Sequence, residues 1–468
     1  MNNHYQRLNS SLSAELANLF PTETLFWDKE RLMAHSHDET ENLTYLPEAV
    51  FTPQNVQQLQ MLVKWAAKNK IPLTTQGART GLAGGALPVS GGIAVSMEKM
   101  NSIISIDADN LQITVESGLI TGEINRAIKD LGLFYPAEPS SKDSSFIGGN
   151  VATNAGGARA VKYGVTRDYV LNLEVILPNG ELIWTGANTL KNSTGYNLTQ
   201  LIAGSEGTLA IITKVVLKLV ALPTHRLLLW AEFDDILEAG KAVTSVFKGG
   251  ILPAAIEFME REAVEVGIAY LNHNPTGKKL DKAAYLLIEL DGNQPEMLQK
   301  DAETLFGILQ QHQVGEILYA DNAQQQEELW KLRRCIGHAV KISSIYKEED
   351  TVVPRAQLPA LILFIKNLAN THQFKAICYG HAGDGNLHVN ILRGNLPQTF
   401  WEEELPKIIT VLFEYVKQLG GTISGEHGIG WVQKNYLPIV CSPAHIELLK
   451  AIKKAFDPQG ILNPNKIF

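Results

Sequence analysis

Two histidines flank a glycine-rich turn in the stretch GHAGDGNLHVN, residues 380–390. An Asp-Gly pair between two strand-like runs is a strong signal for a two-residue hairpin turn. A turn at Asp384 and Gly385 places His381 directly opposite His388, on one face of the sheet, with Cβ atoms roughly 4.5–5.5 Å apart. The spacing therefore predicts two imidazoles that are close enough to share one metal ion.

A third ligand is available in the segment SGEHGIG, residues 424–430, which contains Glu426 and His427. Two histidines and a glutamate form a ligand set of catalytic zinc sites, in which one position stays open for water or substrate. The pattern alone also fits a second interpretation, in which His381 and His388 are structural turn residues that bond to the backbone.

Three glycine-rich stretches lie in the first half of the chain: QGARTGLAGG at 76–85, IGGNVATNAGGARAVKYGVTRDYVL at 147–171 and GSEGTLAIIT at 204–213. Glycine lets backbone N–H groups approach an anion closely, although any one cluster could simply form a tight turn. Three clusters together favour a large phosphate-bearing ligand. The chain has neither the Rossmann fingerprint nor the P-loop motif, so we expect a non-Rossmann scaffold.

Bulk composition excludes several classes of protein. The chain has 468 residues, of which 45% are hydrophobic and 19% charged, as in ordinary globular proteins of two or three domains. The net charge is −8 and the sequence contains no basic run, so we expect no nucleic-acid partner. Three widely spaced cysteines indicate a reducing compartment. Without a signal peptide or an apolar span, we expect a cytoplasmic protein, with peripheral attachment at the inner face of a membrane left open.

Hydrophobic periodicity predicts helices and strands in both halves of the chain. In the first half, the pattern predicts a helix from Val56, a helix over 121–132, a strand pair over 172–184 joined by a Pro-Asn-Gly turn, and a strand over 209–220. Pro223 marks a domain boundary, beyond which helices and strands alternate differently. We therefore predict two α+β domains.

Long stretches of the chain carry a family resemblance. They include FTPQNVQQLQMLVKWAAKNKIPLTTQGARTGLAGGA, PAEPSSKDSSFIGGNVATNAGGARAVKYGVTRDYVLNLEVILPNGE, LKNSTGYNLTQLIAGSEGTLAIIT and FDPQGILNPNKIF. From about residue 45 onward, the chain resembles the FAD-binding flavoproteins of the vanillyl-alcohol-oxidase type. Within them it is similar to the D-2-hydroxyacid dehydrogenases, namely D-lactate dehydrogenase, the glycolate oxidase D subunit and D-2-hydroxyglutarate dehydrogenase.

The resemblance implies an α+β fold in which a two-subdomain, PCMH-type FAD-binding domain precedes an α+β substrate domain with an antiparallel sheet. We expect an N-terminal lead segment at 1–46, the FAD-binding domain at 47–222 and the substrate domain at 223–455. The tail at 456–468 is expected to return to the flavin.

The resemblance also implies FAD, and we expect it to be non-covalent because the first glycine loop lacks the histidine to which some relatives attach it. In that loop the expected contacts are Gln76, Gly77, Ala78, Arg79, Thr80 and Gly81 at the pyrophosphate, with Gly84 and Gly85 alongside. The flavin and ribityl chain are expected to contact Pro139, Ser140, Gly148, Gly149, Asn150, Thr153, Asn154 and Gly156. Glu206, Gly207 and Ile212 are expected near the adenine, and Asn463 at the isoalloxazine.

For the chemistry, the resemblance implies a divalent metal, with zinc favoured, bound by His381, His388 and Glu426. The metal would acidify the substrate hydroxyl, and flavin N5 would accept the hydride. His427 is the expected general base because the pKa of histidine suits that role, although it could instead orient Glu426.

Substrate contacts follow from the same resemblance. Arg333 is expected to bind the substrate carboxylate, although a place on the helix surface is the commoner fate of an arginine. Asn390 matches an asparagine of the hydroxyglutarate enzymes, which favours a dicarboxylate. Those enzymes also carry a threonine and a lysine where this chain has Gly337 and Glu348, with Lys347 adjacent. These departures favour D-lactate.

Four functions remain open on the sequence. D-lactate dehydrogenase is favoured, with D-2-hydroxyglutarate dehydrogenase or a glycolate-oxidase-type subunit of a larger complex as alternatives. A flavin-binding protein without turnover is the fourth, and the set of histidines and Glu426 argues against it. We expect a quinone, a cytochrome or an electron-transfer flavoprotein to accept the electrons, and we expect a homodimer.

Overall fold

The computed structural model describes residues 5–320 and 322–468, which form two compact units. The first unit comprises the chain up to Gly156, Val165–Leu222 and Glu426–Phe468, and the second comprises Gly157–Gly164 and Pro223–Gly425. The division after Leu222 coincides with the boundary expected at residue 223. The second unit ends at Gly425 rather than at residue 455, so a longer C-terminal segment returns to the first unit.

The strands of the two units are short to medium in length. In chain order they are β1 (Leu25–Phe26), β2 (Ala49–Phe51), β3 (Leu73–Gln76), β4 (Ile93–Ser96), β5 (Ile103–Asp107), β6 (Gln112–Glu116), β7 (Leu133–Phe134), β8 (Val170–Ile176), β9 (Leu182–Trp184), β10 (Ile211–Lys218), β11 (Val220–Ala221), β12 (His225–Phe233), β13 (Ala255–Glu260), β14 (Ala284–Gly292), β15 (Val314–Ala320), β16 (Tyr346–Val352), β17 (Lys375–Gly380) and β18 (Asn386–Leu392).

The α-helices vary from single turns to long amphipathic helices. In chain order they are α1 (Ser10–Leu19), α2 (Lys29–Ala34), α3 (Val56–Asn69), α4 (Thr121–Ile128), α5 (Ile147–Thr153), α6 (Ala160–Tyr163), α7 (Leu198–Ile202), α8 (Ile236–Lys248), α9 (Arg261–Leu271), α10 (Pro295–Gln310), α11 (Ala323–Ser343), α12 (Leu358–His372), α13 (Leu405–Gln418), α14 (Leu437–Val440) and α15 (Pro443–Phe456). Among the residues that the structure describes, no helix combines the length and the apolar character needed to cross a membrane.

The first unit contains a sheet of four strands, a sheet of five and a two-stranded pair. The four-stranded sheet has the order β1-β2-β4-β3, and its β2–β4 and β3–β4 pairs are parallel. The five-stranded sheet is antiparallel, with the order β5-β6-β10-β8-β9. Both strands predicted over 172–184 and the helix predicted from Val56 are confirmed. Asn55 caps that helix through its side chain, and Leu59, Leu62, Val63 and Ala66 are buried along it.

The second unit is built on one antiparallel sheet of seven strands, in the order β15-β12-β14-β13-β17-β18-β16. An antiparallel sheet in this domain was predicted, and it is confirmed. Helices α9 and α11 pack against each other, and buried residues of both join Met259, Ile377 and Tyr379 in one hydrophobic cluster. Because side chains alternate along a strand, this cluster defines the face of the sheet that also holds the polar residues described below.

Part of the second glycine-rich stretch belongs to the second unit because ion pairs bind it to strand β14. The Nε atom of Arg159 donates to Glu289 at 2.9 Å, and the hydroxyl of Tyr163 donates to Asp291 at 2.7 Å. Lys162 forms an ion pair with Asp291 as well. Residues 159–163 therefore have a structural role, because their polar and charged side chains bind this segment to strand β14.

The predicted register of the hairpin at Asp384-Gly385 is wrong. Tyr379, not His381, lies opposite His388, and strand pairing ends at Gly380. The loop is longer because its backbone bonds to neighbouring strands: the Gly383 N–H donates to Ile256 O at 3.1 Å, and the Val353 N–H donates to Gly385 O at 3.1 Å. Contacts with neighbouring strands thus override the local preference of Asp-Gly for a two-residue turn.

Candidate active site

A buried carboxylate lies at the centre of the polar face of the second unit. The register that pairs Phe258 with Gly380 and Met259 with Tyr379 places Glu257 opposite His381. The Nδ1 atom of His381 lies 2.8 Å from Glu257 Oε1 and 2.9 Å from Oε2. A donated Nδ1–H fixes the tautomer of His381 and leaves its Nε2 lone pair available as a ligand.

Arg333 is part of the same cluster. Its Nη2 lies 2.6 Å from Glu257 Oε2, and its guanidinium lies 5.0 Å from the centroid of the Tyr379 ring. Arg333 is 5% exposed, on the buried stripe of α11 that includes Leu329 and Ile336, so it is not a helix-surface arginine. Burial alone would raise the pKa of Glu257, but the charges of Arg333 and His381 outweigh it, and this pKa is lowered.

His388 lies near His381 even though the two are not cross-strand partners. Their ring centroids are 5.4 Å apart, and a ring nitrogen of each lies within 4.8 Å of the other. The Nδ1 atom of His388 is 3.4 Å from Glu348 Oε1 and 3.8 Å from Asp350 Oδ1. His381 and His388 are diagonal neighbours rather than direct cross-strand partners. Their imidazoles are nevertheless close enough to bind one cation, as the sequence predicted.

Asn390 and Glu348 are direct cross-strand partners on this face. The Asn390 side chain is fully buried beside the Tyr379 hydroxyl, but neither its nitrogen nor its oxygen has a hydrogen bond of good geometry within residues 5–320 and 322–468. Burial and the charge of Glu348 raise the pKa of Tyr379 well above its ordinary value. A Cβ added at Gly337 would lie 3.1 Å from the Tyr379 hydroxyl.

Asp350 of strand β16 binds the segment that immediately precedes Glu426 and His427. The carboxylate of Asp350 accepts hydrogen bonds from the Gly425 N–H at 2.8 Å and the Ser424 hydroxyl at 3.0 Å. Asp350 is the strand partner of His388, and Glu426 is the next residue after Gly425. Glu426 and His427 themselves are the first residues of the C-terminal segment of the first unit.

Within the first unit, Glu206 holds the segment that follows His427. Its carboxylate accepts hydrogen bonds from the Ile429 N–H at 2.9 Å and the Gly430 N–H at 2.7 Å. Glu206 has a φ of 53°, and its carbonyl accepts a bond of 2.7 Å from Asn463 Nδ2. We expected Glu206 and Asn463 at opposite ends of the cofactor. The structure brings them together, with their polar groups bonded to protein.

Several other predicted cofactor residues bond to the protein through their side chains. Gln76 Nε2 donates to the carbonyls of His35 and Ala86, which closes the first glycine loop. Asn150 Nδ2 donates to Thr121 Oγ1 at 2.6 Å, and Asn154 Oδ1 accepts from the Arg167 N–H at 3.0 Å. These residues shape the loops, so contacts with a cofactor would come mainly from backbone groups.

The glycines of the first two loops differ in their surroundings. A Cβ added at Gly81, Gly85 or Gly149 would meet no heavy atom within 4 Å among the described residues, so the backbone there is open to a ligand. A Cβ at Gly148 would lie 2.5 Å from Ser117 Cβ, so this glycine allows close packing. The two loops adjoin, since a Cβ at Gly77 would lie 3.6 Å from the Gly149 Cα.

The remaining predicted cofactor residues line or flank these loops. Ala78, Arg79 and Thr80 are half-buried, and Arg79 has a φ of 61°. Pro139 is buried and Ser140 exposed, Ile212 is buried in β10, and the Thr153 hydroxyl donates to Gly149 O at 3.2 Å. Carboxylate and amide groups lie close to two more glycines: a Cβ at Gly156 would be 2.8 Å from Glu426 Oε2, and one at Gly207 would be 2.7 Å from Asn463 Nδ2.

Comparison with known families assigns both parts of the chain. Residues 47–186 match the FAD binding domain family, and residues 222–467 match the family described as FAD linked oxidases, C-terminal domain. The chain belongs to these FAD-linked oxidoreductases. Solved structures share its fold: p-cresol methylhydroxylase has a TM-score of 0.80 at 16% identity, covering 97% of this chain and 95% of its own. The predicted α+β fold of PCMH type is confirmed.

Curated relatives define the group within that family. The chain is 37% identical to glycolate oxidase subunit GlcD of Bacillus subtilis, over 93% of this chain and 92% of that one. It is 36% identical to D-lactate dehydrogenase of Anaerostipes hadrus, over 90% and 89%. Its identity to D-2-hydroxyglutarate dehydrogenase of Stutzerimonas stutzeri is 33%, over 98% and 99%. The protein is therefore an FAD-linked oxidoreductase of the D-lactate, glycolate and D-2-hydroxyglutarate dehydrogenase group, an enzyme that oxidises a CH–OH group.

Proposed function

We propose that this enzyme oxidises a D-2-hydroxyacid, with D-lactate favoured, to the 2-oxoacid. The observation that carries the proposal is the buried cluster of the second unit, in which Arg333, His381 and His388 lie on one face of the sheet with Asn390. A guanidinium suits a substrate carboxylate, and two imidazoles suit a divalent metal.

The residues present fit both cofactors. The backbone at Gly81, Gly85 and Gly149 is open to a ligand, as a flavin dinucleotide requires, and we propose that FAD binds there non-covalently. His381 keeps Nε2 for a metal because Nδ1 faces Glu257, and the predicted third ligand, Glu426, follows the anchored Gly425 directly. When bound, FAD accepts the hydride and a divalent metal, zinc favoured, polarises the substrate hydroxyl.

The protein residues bind the substrate and move one proton. Arg333 binds the carboxylate, and its contact with Glu257 fixes the direction of the guanidinium. His427 takes the hydroxyl proton at an imidazole nitrogen. Glu206 supports this role by holding the backbone at Ile429 and Gly430, which limits the movement of the segment that carries His427.

The surroundings of Asn390 favour a small monocarboxylate. Glu348 is its cross-strand partner, and a carboxylate at this position repels a second substrate carboxylate. A threonine at position 337, as in the hydroxyglutarate enzymes, would crowd the Tyr379 hydroxyl, which occupies this space instead. D-2-hydroxyglutarate remains the second candidate substrate because Asn390 is present.

The names of the relatives support a role for partners. Relatives called glycolate oxidase subunits belong to larger assemblies by name, so co-purifying subunits would favour glycolate oxidation. We propose that a quinone, a cytochrome or an electron-transfer flavoprotein reoxidises the flavin. We also propose a homodimer, which sedimentation would test.

Anaerobic bleaching of the flavin by a panel of D- and L-2-hydroxyacids tests the proposal. We expect bleaching by D-lactate, and we expect His427→Ala to slow it by about 100-fold or more while FAD stays bound. His445→Ala, at an exposed position, is the matched control and should bleach at the parent rate. Bleaching by L-acids alone would contradict the proposed function, and an unchanged rate in His427→Ala would contradict the role of His427 alone.

A further inference from the structure

Glu257 has no role in the predicted site, yet it contacts two residues of that site. It is fully buried in β13, and its carboxylate lies against both His381 Nδ1 and Arg333 Nη2. Sheet register explains the first contact, since Glu257 is opposite His381. The second comes from α11, whose buried residues Leu332 and Ile336 belong to the same hydrophobic cluster as Met259 and Tyr379 on this face.

We propose that Glu257 is a positioning residue, which orients His381 towards a metal ion and Arg333 towards the substrate carboxylate. This inference rests on the proposed function, because it takes His381 as a metal ligand and Arg333 as a substrate ligand. A carboxylate that accepts the Nδ1–H of a metal-binding histidine fixes its ring orientation and raises its basicity. The same carboxylate neutralises an arginine that would otherwise be buried without a counter-ion.

A second buried glutamate on the same strand, Glu260, provides a control for the general effect of a buried charge on the stability of the sheet. Glu260 is on the same strand, is also fully buried, and forms an ion pair with Lys366 at 2.5 Å. It also accepts a hydrogen bond of 2.6 Å from the Cys378 N–H. Being three positions from Glu257 on a strand, it points to the opposite face of the sheet, away from His381 and Arg333.

The test compares Glu257→Gln with Glu260→Gln, since both substitutions remove one buried charge from β13. The zinc affinity of the flavin-loaded protein is measured by competition with a chelating dye, together with FAD content and the melting temperature. We expect Glu257→Gln to bind Zn²⁺ roughly 10–100-fold more weakly than the parent. Glu260→Gln should bind Zn²⁺ like the parent, even where its melting temperature falls.

The possible outcomes of the Zn²⁺ measurement distinguish failure of the role of Glu257 from failure of the proposed function. Parent-like zinc affinity in Glu257→Gln, or equal weakening in both variants, would overturn the role of Glu257 and leave the proposed function intact. A parent protein that binds no Zn²⁺ would overturn the metal part of the proposed function and this role with it. If Glu257→Gln does not fold, the double variant Glu257→Gln with Arg333→Met removes both buried charges, and the same outcomes apply to it.

A kinetic readout tests the second half of the proposal at saturating Zn²⁺. A carboxylate that also directs Arg333 affects substrate binding, so KM for D-lactate should rise in Glu257→Gln by more than kcat falls. An unchanged KM would overturn the link between Glu257 and Arg333.

Discussion

Glu348 is the residue that bears most directly on the proposed choice between D-lactate and a dicarboxylate. It faces Asn390 across the sheet and lies 3.4 Å from the Nδ1 of His388. Two negative charges about 6 Å apart repel by roughly 3 kcal/mol at an effective dielectric constant of 20. That free energy is large enough to decide between a monocarboxylate and a dicarboxylate.

Replacing Glu348 with Gln should therefore relax substrate selection. We expect kcat/KM for D-2-hydroxyglutarate, relative to that for D-lactate, to rise about tenfold or more. Glu349→Gln is the matched control, because this buried neighbour points to the opposite face of β16. A ratio that stays constant in Glu348→Gln, or shifts equally in the two variants, would show that the charge of Glu348 does not select the substrate.

Residue types in the sequence predicted the candidate ligands but not the residues that support them. His381, His388 and Arg333 were predicted from motifs, and the structure brings these three into one cluster. Glu257 carries no local signal, because the sequence IEFME reads as an ordinary strand. Its importance comes from pairing with a strand more than a hundred residues away, which no short-range pattern reveals.

At the scale of single elements, substitutions in helix α5 can test the expected position of the cofactor. Gly148 and Gly149 are adjacent on this helix, but only Gly148 packs against protein, at Ser117. The open side of Gly149 has no packing role within the described residues. Substitutions at the two neighbouring glycines can therefore test packing and the expected FAD contact separately.

We expect Gly149→Ala to stabilise the FAD-free protein by about 1 kcal/mol, because alanine is the better helix former. The added methyl group should weaken FAD binding, which a fluorescence titration measures. Gly148→Ala is the contrasting variant: it should lower the melting temperature of the FAD-free protein because its Cβ overlaps Ser117. FAD affinity equal to that of the parent in Gly149→Ala would place the cofactor elsewhere.

The elements themselves were largely predictable, whereas their pairing was not. The helix from Val56 and the two strands over 172–184 follow from periodicity and turn residues, and the structure contains them. The hairpin register failed because Gly383 and Gly385 bond to residues outside the hairpin. Local preferences predict the type of an element, and contacts distant in sequence decide its register.

At the scale of the whole chain, the first unit is assembled from segments far apart in sequence. Asn463 Oδ1 accepts a bond from the Thr75 N–H, and the Asn463 N–H donates to Leu73 O. Lys466 donates to the carbonyls of Gly85 and Leu87 at 2.8 and 2.7 Å. The tail expected to return to the flavin was 456–468, and the structure assigns the whole chain from Glu426 onward to the first unit, where the Ile429 N–H donates to Glu206.

Lys466 makes the stability of this assembly dependent on pH. Burial lowers the pKa of Lys466 to about 8, although the charges of Asp38 and Glu206 oppose the shift. An unfolded lysine titrates near 10.4. Between about pH 8 and pH 10.4 the unfolded chain therefore binds more protons at this site than the folded chain. Stability from this group consequently rises with pH across that window, by roughly 3 kcal/mol in total.

The Lys466→Met variant should lack the increase in stability that Lys466 contributes between about pH 8 and pH 10.4. We expect the free energy of unfolding of the FAD-free parent, from denaturant titrations at pH 8, 9 and 10, to rise more steeply with pH than that of Lys466→Met. Other groups titrate in the same range, so the difference between the two proteins is the quantity that reports on Lys466. Lys450→Met, at a partly exposed lysine of α15, should keep the slope of the parent. If Lys466→Met kept that slope too, the buried ammonium would not be the group that titrates, and the carbonyls of Gly85 and Leu87 would hold a lysine with an ordinary pKa.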